Sequence, residues 1–284
     1  MPAAPPRPSR TDWARPQLSG RVAVVTGSSR GVGRGIARVL GECGATVYVT
    51  GRSEGVEKVA AEVTELGGHG IPARTDHTDP AQVAALFERL ESLDLLVANA
   101  WGGYQHDDGV AFGSPFWEQP FERWDVMFRT GLRATYLAVR AAAPLLVRQK
   151  HGLIVLTAGW ADPDRYLGSL PYDTVKLATA RLVRTMAHEL RPHRVQVVGV
   201  YPGFTRTEAV IEAFAKEGRE PPPETHSPEF VGRAVAWLLA DPEGARWSGT
   251  GAQAADYARR YGFTDVDGRE IETFLLPDTL MLEP

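Results

Sequence analysis

Cysteine is nearly absent: Cys43 is the single one in 284 residues, so an internal disulfide and a disulfide-stapled scaffold are excluded. That usage fits a reducing, cytoplasmic compartment. Positive charge is not in excess, since 31 Lys and Arg stand against 35 Asp and Glu for a net −4. The electrostatic reason to expect a nucleic acid or an anionic membrane surface as partner is therefore missing. No apolar stretch approaches the ~20 residues of a spanning helix. Nor does the amino end carry the continuous apolar run of a secretory signal; Pro2, Pro5, Pro6, Pro8 and Pro16 beside Arg7, Arg10 and Arg15 make residues 1–19 read as a flexible lead-in. Metal-ligand spacings are lacking too, so no metal site is expected. Asp265-Val266-Asp267-Gly268 begins like a calcium loop but has none of the later ligands, and it reads as a turn.

What is present, at 43% hydrophobic and 23% charged, is enough apolar material for a sizeable core. Short β-branched runs fall at 21–26, 46–50, 70–74, 93–99, 152–157, 194–200 and 251–255. Between them lie 31–43, 54–66, 80–92, 120–150, 172–190 and 228–239, long enough for helices and apolar at three- and four-residue intervals. Strand-then-helix order implies right-handed crossovers and a parallel sheet covered on both faces. The expectation is a doubly wound α/β domain over 20–257, of about seven strands in a three-layer sandwich, with 258–284 as a tail packing on it. Segments 101–119 and 201–227 break the rhythm after the fourth and sixth strands, where ligands bind in open α/β sheets. They are the candidate substrate loops.

After the first strand comes Thr26-Gly27-Ser28-Ser29-Arg30-Gly31-Val32-Gly33, running directly into a helix. Such glycines let the chain turn tightly and bring unpaired helix-end N–H groups to a pyrophosphate, although a tight turn needs glycine for steric reasons alone. At the end of the second strand, where a carboxylate would meet the ribose hydroxyls of NAD, stands Thr50-Gly51-Arg52-Ser53. Arg52 together with Arg30 can fork onto a 2′-phosphate, which favours NADP over NAD; the plain alternative is two solvated arginines.

With Gly-x-x-x-Gly-x-Gly at this loop, Asp76 after the third strand, Asn99-Ala100 after the fourth, Tyr172-Asp173-Thr174-Val175-Lys176, and Pro202-Gly203-Phe204-Thr205-Arg206-Thr207 after the sixth, the chain resembles the short-chain dehydrogenase/reductase family. The motifs occur in register over residues 21–255. The segments Phe116-Trp117-Glu118-Gln119-Pro120 and Tyr261-Gly262-Phe263-Thr264-Asp265-Val266-Asp267-Gly268-Arg269 resemble one subgroup within it. The resemblance implies a Rossmann-type fold, a small-molecule substrate and a homodimer or homotetramer. It also implies cofactor contacts at Gly27, Ser29, Arg30, Gly31, Val32, Gly33, Arg52, Asp76, Asn99, Ala100, Tyr172, Lys176, Pro202, Gly203, Phe204 and Thr207. For Asp76 and Asn99 the local alternatives are a turn former and a loop cap.

Tyr172 and Lys176 are four residues apart and share a helix face. In the family the tyrosine moves the proton at the substrate oxygen, the lysine tunes it and holds the ribose, and the nicotinamide handles the hydride. A phenol of ordinary pKa ~10 needs such a neighbouring cation to serve near neutrality. Two departures stand out. Counting back thirteen residues from Tyr172, where the family carries a serine, gives Gly159; the asparagine that helps place water and lysine aligns with Gly131. The fourth-strand motif also reads Ala98-Asn99-Ala100-Trp101, with tryptophan where glycine is usual, which implies an altered or narrowed pocket. Thr157, two residues before Gly159, is the least contrived replacement donor, with Ser169, Trp160 and the 101–108 loop (His106, Asp107 and Asp108 among them) behind it. Trp101, Tyr104, Phe112, Phe116, Trp117 and Trp160 suggest a hydrophobic or aromatic substrate, or ordinary packing. The expected function is thus an NADP-dependent oxidoreductase for a carbonyl, alcohol or related unsaturated substrate. Its competitor is a nucleotide-binding protein of the same fold with little redox activity: a partner subunit, cyclase or isomerase.

Overall fold

A computed structural model describes residues 13–103, 109–159 and 165–275. Seven parallel strands, β1 (Val22–Val25), β2 (Thr46–Gly51), β3 (His69–Arg74), β4 (Leu95–Ala98), β5 (Gly152–Thr157), β6 (Val195–Tyr201) and β7 (Gly251–Gln253), form one sheet in the order β3-β2-β1-β4-β5-β6-β7. The order reverses between β1 and β4, which opens the crevice where α/β sheets bind ligands. Helices α1 (Gly31–Glu42), α2 (Gly55–Glu65), α3 (Pro80–Glu88), α4 (Phe121–Met127), α5 (Ala134–Gln149), α6 (Leu170–Leu190), α7 (Glu208–Lys216), α8 (Pro228–Ala240) and α9 (Ala254–Tyr261) connect and flank the strands.

The central strands are apolar on both sides because each side carries its own core. Ala23 and Val25, Leu95 and Val97, and Leu153 and Val155 point toward α1 and α8, into the cluster that holds Ile36, Phe230 and Val231. Their neighbours Val24, Leu96 and Ile154 point the other way, onto Leu86, Ala142 and Val183 of α3, α5 and α6. Period-two alternation thus feeds two layers of helices from one strand. Helix starts obey local chemistry. Asp79 accepts from the Ala81 and Gln82 amides ahead of Pro80 to cap α3, and Ser227 accepts from the Phe230 amide to cap α8.

The expected single helix over 120–150 is three pieces: α4, a π-helical turn over Phe128–Arg133, and α5. Such a turn inserts one residue per turn and re-aims the helix beyond it. Within 201–227, expected as loop, α7 forms behind the Thr207 cap. The lead-in boundary also moves, because Trp13 and Leu18 are buried: Trp13 lies 4.8 Å beneath the Arg233 guanidinium, and the Leu18 amide donates to Cys43 O at 2.8 Å. Beyond α9 the chain is described through residue 275. Phe263 meets Phe230 edge-on, Gln253 pairs with the Phe274 backbone, and Asp265–Gly268 is a hydrogen-bonded turn.

Candidate active site

Thr26, at the end of β1, organises the glycine loop. Its hydroxyl accepts from the Asn99 amide (2.8 Å) and the Ala100 amide (2.9 Å), tying the end of β4 to the end of β1. The Asn99 side chain returns two bonds, to Thr26 O at 3.0 Å and Gly27 O at 3.2 Å. Gly27 has φ +65°, and a Cβ there would sit 2.8 Å from Ala100 Cα; at Gly33 a Cβ would lie 2.4 Å from Gly27 O. These are close approaches that only glycine allows. Ser29 packs against Gly51 and Gly55 at the β2 end, and Val32 leans on the core under α1.

At the amino end of α1 the Gly31 amide donates to Glu208 Oε2 at 2.9 Å, and Glu208 Oε1 meets Arg34 at 3.4 Å. A carboxylate borne on α7 thus occupies the helix end whose free N–H groups and dipole attract anions. Arg30, in the glycine loop, and Arg52, just past β2, are both exposed. Arg52 lies close enough to Asp76 and His77 to act on both electrostatically. Asp76 Oδ1 accepts from the Thr78 amide and hydroxyl, so the acid also shapes its own turn. His77 is buried, with Nε2 2.8 Å from Thr50 Oγ1 and no partner for Nδ1 among the described residues; burial pulls its pKa down to about 4.

The first turns of α6 bring Tyr172 and Lys176 together, with the lysine Nζ 5.4 Å from the phenol ring centroid. Lys176 is half-buried as a residue, and burial of its ammonium pulls its pKa down to about 8. Trp101 forms the floor: Nζ lies 4.3 Å from its ring centroid, and its edge meets Tyr172 at 5.6 Å. Phe112 meets the other side of Tyr172 at 5.5 Å. Gly159 backs the lysine so closely that a Cβ would fall 2.6 Å from Lys176 Cβ. Thr157, expected as replacement donor, is committed elsewhere. Its hydroxyl lies 3.3 Å from Asn99 Oδ1 and 3.5 Å from Ala98 O, so it braces the β4 end. Ser169 is wholly buried, with its hydroxyl 3.4 Å from Gln119 Oε1.

Beyond β6, Pro202 O is held by His226 Nε2 at 2.6 Å, Gly203 takes φ +78°, and Phe204 packs among Phe214 and Phe274. Thr207 spends its hydroxyl on the Val210 amide as the α7 cap. Phe116 and Trp117 touch each other and are largely exposed. Tyr104, His106, Asp107, Asp108 and Trp160 lie outside the described residues. Glu208 and His77 were not anticipated. The first is a surface glutamate at a helix start until folding brings it to a helix some 177 positions away, and the second has no spacing partner. Among the described residues no group of three candidate ligands can hold a metal, and no helix is long and apolar enough to cross a membrane.

A glycine-braced helix end thus lies at the sheet's switch point, and a tyrosine and a buried lysine stand together at the start of α6. The chain belongs to the short chain dehydrogenase family, whose sequence profile matches residues 21–218. It is 38% identical to "Dehydrogenase/reductase SDR family member 1" of Mus musculus over 273 residues (90% of this chain, 87% of the relative), and 38% identical to its Homo sapiens counterpart over 274. That is the subgroup indicated by the 116–120 and 261–269 segments. Among solved structures, a putative NAD(P)-dependent gluconate 5-dehydrogenase from Beutenbergia cavernae with bound NADP superposes with TM-score 0.72 at 27% identity, covering 84% of this chain and 96% of the other. A 7α-hydroxysteroid dehydrogenase complexed with NADH and 7-oxo glycochenodeoxycholic acid gives TM-score 0.71 at 26% identity, covering 84% and 93%.

Proposed function

We propose that this protein is an NADP(H)-dependent oxidoreductase acting on a carbonyl/alcohol pair, or a related unsaturated bond, in a hydrophobic or aromatic small molecule. The observation that carries the reading is the buried Lys176 held beside Tyr172, in a fold whose α1 amino end already binds a carboxylate. The residues present fit the cofactor. The α1 amino end accepts a negative oxygen, here from the Glu208 carboxylate, and Gly27 and Gly33 allow the tightly packed loop that leads into that helix end. Arg30 and Arg52, with no carboxylate closing β2, suit a 2′-phosphate. Ser29, Val32, Asp76, Asn99, Ala100, Pro202, Gly203, Phe204 and Thr207 complete the lining. When bound, the nicotinamide supplies or accepts the hydride.

The chain's own part is proton handling and exclusion of water. The Tyr172 O–H bond breaks as its proton passes to the substrate oxygen, and the neighbouring ammonium stabilises the phenolate left behind. Trp101 and Phe112, edge-on to the phenol, favour an apolar substrate. Exposed Tyr136 on α5 and Leu177 on α6 suit a homo-oligomeric contact. Glycine at 159 and 131 favours the second reading, a nucleotide-binding protein with little redox activity. Mixing the protein with NADPH and a panel of aldehydes, ketones and quinones separates the two by loss of reduced-cofactor absorbance. Turnover that disappears in Tyr172→Phe while NADPH still binds is the expected result; tight binding with no turnover on any member of the panel overturns it.

A further inference from the structure

Three departures cluster about Lys176: tryptophan at 101 and glycine at 159 touch it, and glycine at 131 touches the tryptophan. Their geometry shows that they are not independent. A Cβ built at Gly131 would lie 2.5 Å from Cζ3 and 2.8 Å from Cε3 of Trp101, and one at Gly103 would lie 2.5 Å from Cζ2. The benzo ring of the indole is therefore seated against two glycines, and no side chain fits at 131 while the indole is there. On the far side of the lysine, a Cβ at Gly159 would meet Cβ, Cγ and Cδ of Lys176 at 2.6, 2.8 and 3.1 Å. The stem of Lys176 is thus pressed against bare backbone, and its ammonium rests over the indole face at 4.3 Å. An ammonium over a tryptophan face is attracted by the ring quadrupole, most strongly where water is excluded.

Resting on the assignment of Tyr172 and Lys176 as the reacting pair, we propose that Trp101 is the positioning residue for the Lys176 ammonium. Its indole does by a π face and exclusion of water what an amide side chain at position 131 would do by hydrogen bonding, and Gly131 and Gly159 are glycines because this arrangement leaves no room for a Cβ. The chain has therefore exchanged a polar brace for an aromatic one rather than lost part of its machinery. Tyr172, on the same helix, is the titratable group packed against the lysine among the described residues, and burial is the cause of the lysine's low pKa.

The test needs no turnover. The chain has four lysines, of which Lys58, Lys150 and Lys216 are exposed, so Lys176 is readily resolved by NMR of lysine side-chain carbons. With the wild type titrating at about 8, Trp101→Gly lets water reach the ammonium. Its titration is expected to rise by about 1–2 pH units, toward the ordinary lysine value of ~10.4. Trp101→Phe, which keeps an aromatic face and an apolar cover, is expected to stay within about half a unit of the wild type. Gly131→Ala, whose methyl displaces the indole, is expected to shift the lysine in the same direction as Trp101→Gly, and to add nothing in the Trp101→Gly background, as a shared cause requires. If melting curves show that one of the two single variants folds poorly, the other carries the test alone. A Lys176 titration unmoved in both Trp101→Gly and Gly131→Ala overturns the proposal. If the titration moves as stated but NADPH is never consumed, the positioning stands and the oxidoreductase reading falls. Turnover that depends on Tyr172 with an unmoved titration gives the reverse.

Discussion

Placing serine at position 159, where the family carries a hydroxyl donor, is expected to damage this protein rather than improve it. The new Cβ would lie 2.6 Å from Lys176 Cβ and 2.8 Å from Cγ. Neither atom is the free end of a flexible chain, because Cβ is fixed by α6 itself, so α6 or the strand end must move. Overpacking of this kind costs ~1–3 kcal/mol. For a chain of this size that corresponds to a fall in melting temperature of about 2–10 °C. A recovered donor is worth ~10²–10³ in rate when well aimed, but a displacement near 1 Å of the reacting groups costs ~10² by itself. The same displacement lifts Lys176 off the Trp101 face and carries Tyr172 with it. With the strand end or α6 displaced the new hydroxyl is no longer well aimed and its gain is not realised, so the displacement alone is expected to lower kcat/KM by about 10- to 100-fold. Gly159→Ala, which adds the Cβ without the hydroxyl, is expected to lose nearly as much stability as Gly159→Ser. Thermal melts and NADPH consumption measure both quantities. A Gly159→Ser protein as stable as the wild type and faster in turnover would refute the reasoning, since it would mean that the lysine stem yields freely.

Contacts at the cofactor end lead to other outcomes. Glu208→Gln removes a carboxylate that competes with a diphosphate for the α1 amino end, so NADP(H) affinity by calorimetry should tighten about 2- to 5-fold; weaker binding would show that Glu208 helps to hold the cofactor. Arg52→Asp should weaken NADP binding by about 10- to 100-fold and NAD binding far less, and equal losses would show that this arginine does not read the 2′-phosphate. His77 is held neutral by burial, with its pKa near 4 in the fold against ~6.5 unfolded. The unfolded chain therefore binds a proton the fold refuses, and stability falls by ~1.4 kcal/mol per pH unit on acidification from about 6.5 to about 4, with no contribution from this group above that window. Denaturant unfolding of His77→Gln should lack that increment, and identical pH slopes for the two proteins would assign the acid sensitivity to other groups.

The alternation of apolar strands with periodic helices, the Gly27–Gly33 loop ahead of α1, and the Tyr172/Lys176 spacing were all readable from residue order, because each depends on neighbours within one turn or one strand. Every one of the seven expected strands is present, with ends shifted by a few residues. Less legible were features set by distant contacts. The break of the 120–150 helix at Phe128–Arg133 occurs where Gly131 meets an indole from the β4 loop. The burial of Trp13 depends on α8, and α7 was hidden in a segment whose prolines and charges read as loop. Thr157 was assigned to the substrate from its position on the strand, whereas its hydroxyl turns to Asn99.

Residue order by itself determined the doubly wound sheet, the glycine loop ahead of α1 and the spacing that puts Tyr172 and Lys176 on one helix face, since periodicity, glycine tolerance and helical spacing are local properties of the chain. The meaning of Gly131 and Gly159 was decided only by tertiary structure. In the sequence both are missing side chains; in the fold both are spaces filled, one by Trp101 and the other by the stem of Lys176. Close packing is a property of atoms brought together from four separate segments, and no pattern within any one of them records it.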